Sequence, residues 1–139
     1  MHTLAKACEQ NSLLSTAQYD QVLESAAGFP FRDRRTANLS GLHTMMAKIN
    51  YFPGTRTEGI THWDTVGKAV EVTEEEGTFC YWFLADKEDV NILWSLEMYK
   101  DEEYLWDVHV PSKAIQSNIA TQKEIRSGLG MRVFETIGF

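Results

Sequence analysis

The residues best suited to chemistry fall close together: Ser95, Glu97, Tyr99, Tyr104 and His109 lie within one short stretch of the chain. An imidazole has an unperturbed pKa of about 6.5, so His109 is the natural candidate for a base that takes a proton near neutral pH. Tyr99, Tyr104 or Asn50 would then donate a hydrogen bond to the anion left behind. Glu97 interrupts an apolar run, where a carboxylate is costly unless it is paired, solvated or neutral. Two roles stay open for it: part of a catalytic group, or a buried partner of a neighbouring arginine or tyrosine. His62, beside Trp63, is a second candidate for a pocket, and Trp82 would supply a dry wall or core. Removing a proton from a molecule held in an apolar pocket is the chemistry these side chains share.

The elements that must position them can be read from periodicity. Asn91 to Tyr99 alternates as a strand, with Ile92, Trp94, Leu96 and Met98 on one face and Leu93, Ser95, Glu97 and Tyr99 on the other. The second face is mixed, which makes it the expected pocket wall. Asp101 is a good N-cap with Glu102 and Glu103 behind it, so a helix carrying Tyr104, Leu105, Val108 and His109 should follow, interrupted at Pro111-Ser112. Upstream, Leu42 to Phe52 reads as a strand ended by Pro53-Gly54. Ile60, Trp63, Val66 and Val70 place one apolar stripe on a helix from about Arg56 to Thr73. Gly77 stops that helix after Glu74-Glu75-Glu76, and Thr78 to Ala85 is an almost unbroken apolar strand. A further helix over Lys113 to Arg126 should end at Gly128 and Gly130, with Met131 to Phe139 as the last strand. Residues 1–41 are read as an N-terminal extension, a short amphipathic helix over Ser12 to Ala27 followed by a linker, and residues 42–139 as the main domain.

Strand, helix, strand, strand, helix, strand is the split βαβ order, so the expected class is α+β, ferredoxin-like. Helices cover one face of such a sheet. The continuous apolar character of Thr78 to Ala85 therefore calls for a second cover, most simply the same face of another copy, and a homodimer is expected.

Composition narrows the partners. With 139 residues, 43% of them hydrophobic, the chain has room for one domain with one core. The net charge of -7 comes entirely from residues 41–139, since the first forty carry four basic and four acidic side chains. An acidic domain without a basic stripe is ill suited to nucleic acid or to an anionic membrane. Cys8 and Cys80 make no metal spacing, and neither a signal-like apolar run nor a membrane span is present, so a cytoplasmic protein is the expectation. The histidines are scattered, with no His-x-x-x-His pattern, and no metal site is expected. Gly128-x-Gly130 is too short for a nucleotide loop, and no nucleophile elbow is present.

Three segments carry a family resemblance: Ala47-Lys48-Ile49-Asn50-Tyr51-Phe52-Pro53-Gly54, Glu76-Gly77-Thr78-Phe79-Cys80-Tyr81, and Leu96-Glu97-Met98-Tyr99-Lys100-Asp101-Glu102-Glu103. Together they resemble the antibiotic biosynthesis monooxygenase (ABM) domain family, dimeric α+β barrels that oxidise quinols, anthrones and related aromatics without flavin, haem or metal. The resemblance covers about Leu42 to Phe139. It implies a cofactor-independent monooxygenase taking molecular oxygen and a small aromatic or polyketide substrate, as in secondary metabolism. It also implies that the face bearing Tyr99 lines the cavity. Counted from Tyr99, the histidine of the resemblance falls at Val108, whereas this chain has His109, about 100° further round an ideal helix. A bend near Pro111 is expected to restore its direction.

Residue chemistry and resemblance together give His109, Tyr99 and Glu97 as catalytic candidates, and Asn50, His62, Trp82, Ser95 and Tyr104 as substrate-binding candidates. The same equipment suits a non-oxidative cyclase or isomerase, since enolisation and aldol closure also begin with removal of a proton beside a carbonyl. A non-catalytic binding protein that keeps the barrel is the third reading.

Overall fold

The computed structural model describes residues 27–31 and 40–137. The helix expected from Ser12 and most of the expected linker lie outside these residues. In chain order the elements are β1 Gly28–Phe29, β2 Ser40–Tyr51, α1 Arg56–Thr73, β3 Thr78–Ala85, β4 Ile92–Tyr99, α2, α3 Lys113–Ile125 and β5 Arg126–Ile137. Helix α2 begins as a single α turn, Glu102–Tyr104, and runs directly into a π-helical segment, Leu105–His109. The five strands form one antiparallel sheet in the order β1-β3-β4-β2-β5. Without β1 this is the α+β, ferredoxin-like split βαβ arrangement.

The alternation of β4 sorts as the sequence predicts. Glu97 lies opposite Met45 and Tyr81, and Ser95 opposite Ala47 and Phe83, so all of these share the helix-covered face. The main core lies there, where Val66 and Val70 of α1 pack with Ile49, Tyr51, Tyr81, Phe83 and Leu93, and Ile60 and Trp63 seal its margin. Trp63 stacks on Phe83 at 4.7 Å. The described helices leave the other face open, and Trp82, Leu84, Trp94, Leu96 and Met98 are half-buried on it.

Two expectations are corrected. The linker expected after Ala27 holds no strand, yet Gly28–Phe29 adds a short strand to the edge of β3. Gly28 is at φ +79°, and a Cβ there would sit 1.9 Å from the Tyr81 carbonyl oxygen, so the pairing depends on glycine. The last strand begins at Arg126, not Met131, with Gly128 and Gly130 inside it. It pairs along β2 from Arg126 opposite Tyr51 to Ile137 opposite Ser40, and that ladder outweighs the local preference of two glycines for a turn.

The acidic turn between β3 and β4 is more than a solvated run. Asp86 accepts from the backbone N–H groups of Glu88 and Asp89 through Oδ1 and from Trp94 Nε1 through Oδ2 at 2.9 Å. Arg56 Nη1 donates to the carbonyls of Asp86, Asp89 and Ile92, tying the start of α1 to the same turn.

Candidate active site

β4 presents three polar side chains at period two on the covered face. Glu97 accepts from Tyr99 Oη at 2.5 Å through Oε1 and from Ser95 Oγ at 2.8 Å through Oε2. The partner of this strand carboxylate is thus a tyrosine two residues on, together with a serine two residues back. Burial first, and then the Glu97 charge, push the Tyr99 hydroxyl well above its ordinary pKa, so it stays a donor at neutral pH. Tyr81, directly across from Glu97, is raised in the same way, by burial and then by the charges of Glu97 and Glu74.

His109 comes down onto this face from α2. Its ring lies 4.9 Å from that of Tyr99 and 5.1 Å from that of Tyr81, and only 3% of the residue is exposed. The sequence spacing alone would leave it out of phase. The π segment corrects this: Val110 N–H donates to the Leu105 carbonyl five residues back, so one extra residue fits into that turn. Val108 is therefore 43% exposed, and His109 takes the inward place. The phase is reset before Pro111, and the bend expected there is not its source. Ser112 instead caps α3 by accepting from Ile115 N–H.

The third part of the site was not singled out in the sequence. Glu74, at the C-terminal cap of α1, is 2% exposed; its Oε1 lies 2.8 Å from His109 Nδ1 and accepts from Thr78 Oγ1 at 2.8 Å. Thr78 faces it because β3 carries an irregularity between Thr78 and Cys80, which keeps Thr78 opposite Tyr99 on the covered face. The chain turns tightly here, with Glu74 O accepting from Thr78 N–H at 3.0 Å, and Gly77 is required because a Cβ would meet the Tyr104 ring at 2.1 Å. Three consecutive glutamates carry no local signal of which one turns inward.

The other candidates are placed as follows. Tyr104 is buried, clusters with Tyr99 and Leu105, and carries Lys100 Nζ 5.3 Å from its ring centroid, so it flanks the site. Three are not brought together with His109. Asn50 pairs with Ile92 and Gly128, at the end of β2 opposite to the pairing of His43 with Tyr99, and lies on the other face. His62 sits on the outer surface of α1 beside Glu58, four residues back, at 3.7 Å. Trp82 lies opposite Leu96 on the face without helices, because successive residues of β3 alternate.

Comparison with known proteins gives the fold. A solved structure from Caulobacter crescentus, described as a "putative antibiotic biosynthesis monooxygenase", superposes with a TM-score of 0.65 at 16% identity, covering 71% of this chain and 92% of that one. A Pseudomonas aeruginosa protein gives 0.65 at 15% identity over 73% and 99%. A conserved Methanosarcina mazei protein gives 0.60 at 23% identity over 68% and 92%. No family model matches the chain, and no curated protein matches it. At these identities the likeness is one of fold. Among the described residues, no helix is long and apolar enough to cross a membrane.

Proposed function

We propose that the protein is a cofactor-independent monooxygenase acting on an aromatic polyketide, anthrone or quinol-like molecule, with His109 as base and Tyr99 and Glu97 beside it. The observation that carries this reading is a buried imidazole, held by a buried carboxylate through Nδ1, next to a tyrosine that stays protonated. A substrate bound against Tyr81, Tyr99 and His109 would lose a proton to the free end of the imidazole. The resulting electron-rich anion reacts with oxygen where the neutral molecule does not. For an anthrone-type methylene the balance is closed: the CH2 becomes C=O, one oxygen atom enters the product, and the other leaves as water with the two hydrogens. The fold shared with the Caulobacter crescentus structure supports the class. Ser95 and Tyr104 complete the proposed site, and oxygen and substrate are its only reactants.

The proposed assembly is a homodimer in the cytoplasm. Half-buried Trp82, Trp94 and Leu96 on the face without helices support it, because a second copy would cover them. Sedimentation of the purified protein should give a dimer, and Leu96→Glu should dissociate it.

The functional test is oxygen consumption with a panel of anthrones and hydroquinones in air. Turnover above the spontaneous rate, lost in His109→Ala by on the order of 10²-fold or more, is the expected result. A non-oxidative cyclase or isomerase is the second reading, favoured by the pairing of a base with a protonated tyrosine, which suits proton transfer without oxygen. Turnover that persists anaerobically selects it. Wild-type and His109→Ala proteins that bind ligands alike without turnover would select a binding protein.

A further inference from the structure

The contact between Glu74 and His109 joins two elements that the reaction otherwise has no need to connect. Glu74 lies at the C-terminal end of α1, where the helix dipole opposes a negative charge, and it is buried, where a carboxylate costs stability unless it is given donors. Both penalties argue against a purely structural glutamate, since a glutamine would accept the Thr78 hydroxyl equally well. What the carboxylate adds over an amide is charge beside the imidazole, 2.8 Å from Nδ1. Oε1 takes both contacts, while Oε2 is buried without a hydrogen-bond partner among the described residues. The carboxylate therefore points one oxygen at the ring, and it does so through Nδ1. The rings of Tyr81 and Tyr99 lie against the imidazole, and the π segment supplies its approach. An ionised carboxylate only accepts, so the ring nitrogen facing it carries the hydrogen.

We propose that Glu74 is the positioning residue of this site: it holds the Nδ1–H of His109 and so leaves Nε2 bare as the end that takes the substrate proton. The last clause rests on the proposed function; the tautomer does not. Glu74 touches no substrate and acts through the imidazole alone, fixing its orientation and stabilising the imidazolium that forms during proton transfer.

The test is nitrogen-15 NMR of the full-length protein, labelled at histidine, at neutral pH and without ligand. The expected His109 signal is a neutral ring with its proton on Nδ1. A proton on Nε2, alone or together with one on Nδ1, overturns the proposal, whatever the substrate turns out to be. Two variants carry the test further. Glu74→Gln keeps an acceptor for Nδ1–H and should retain the tautomer, whereas Glu74→Ala should yield a mixture of tautomers. A single Nδ1–H tautomer in a folded Glu74→Ala protein overturns the positioning role. With an oxidised substrate in hand, Glu74→Ala should lower kcat by on the order of 10²-fold and leave KM within about threefold, with partial recovery in Glu74→Gln. A change confined to KM overturns the role. Absence of any oxidised substrate defeats the proposed function and leaves the NMR result standing.

Discussion

His109 Nδ1 and Glu74 Oε1 meet at 2.8 Å across 35 residues of sequence, each side chain sealed from solvent. Neither residue reaches the other by local geometry. The π segment turns the histidine inward, and the tight cap at the end of α1 turns the glutamate toward it.

That relation makes the length of α2 a direct test. Deleting Val108, whose side chain is 43% exposed, removes the residue that the π segment absorbs. The turn should revert to ordinary α geometry with the histidine still facing Glu74. Thermal stability and the histidine NMR signal should then stay close to wild type. Inserting one alanine after Asp107 should swing the ring away by about 100° and abolish the signal of a protected Nδ1–H. Loss of that signal in the deletion variant would show that the π segment does not set the phase.

Tyr99→Phe removes the donor to Glu97 Oε1 and leaves Ser95 as the remaining partner of that carboxylate recorded on β4. A loss of about 1–3 kcal/mol is expected in chemical denaturation. Ser95→Ala should cost less, because the tyrosine bond remains. If the two variants proved equally and negligibly destabilising, Glu97 would not depend on these neighbours.

Alkaline pH should unfold the protein earlier than its acidic groups would imply. The hydroxyls of Tyr51, Tyr81 and Tyr99 are all raised above the ordinary value of 10.0, in each case chiefly by burial. A raised folded-state pKa means that the folded protein holds its protons more tightly than the unfolded chain. The associated stability is therefore whole below about pH 10 and falls as pH climbs above it toward the folded-state values. Ultraviolet absorbance of tyrosinate from these three residues should appear together with loss of circular dichroism. Ionisation in a still-folded protein would contradict this.

The docking of β1 can be tested at Gly67 of α1. A Cβ at that position would stand 2.7 Å from the Cα of Gly28, a backbone atom that cannot yield without moving the strand. Gly67→Ala should cost about 1–3 kcal/mol and speed hydrogen exchange at Phe83, whose N–H donates to Ala27 O. Unchanged exchange there would place β1 outside the cooperative unit.

The buried thiol of Cys80 follows the same electrostatics as the tyrosines. Burial, and then the Glu97 charge, push it up to about 12, so it stays a protonated thiol at neutral pH.

The sequence by itself determined the order of elements from β2 onward, the extent of α1 and β3, and the face of β4 on which Ser95, Glu97 and Tyr99 stand. Those are consequences of period two and period 3.6, which neighbouring residues impose on one another. Even the bond between Tyr99 and Glu97 is local in this sense, since side chains two apart on a strand share a face. The tertiary structure alone decided three things. It selected Glu74 from three consecutive glutamates, because burial depends on what α2 brings down onto the end of α1. It seated His109 instead of Val108, because a π segment relieves a one-residue misfit that can be seen only when the ring has a place to go. It also set Asn50, His62 and Trp82 apart from the site, because alternation and helix phase assign a face while packing decides which face meets which.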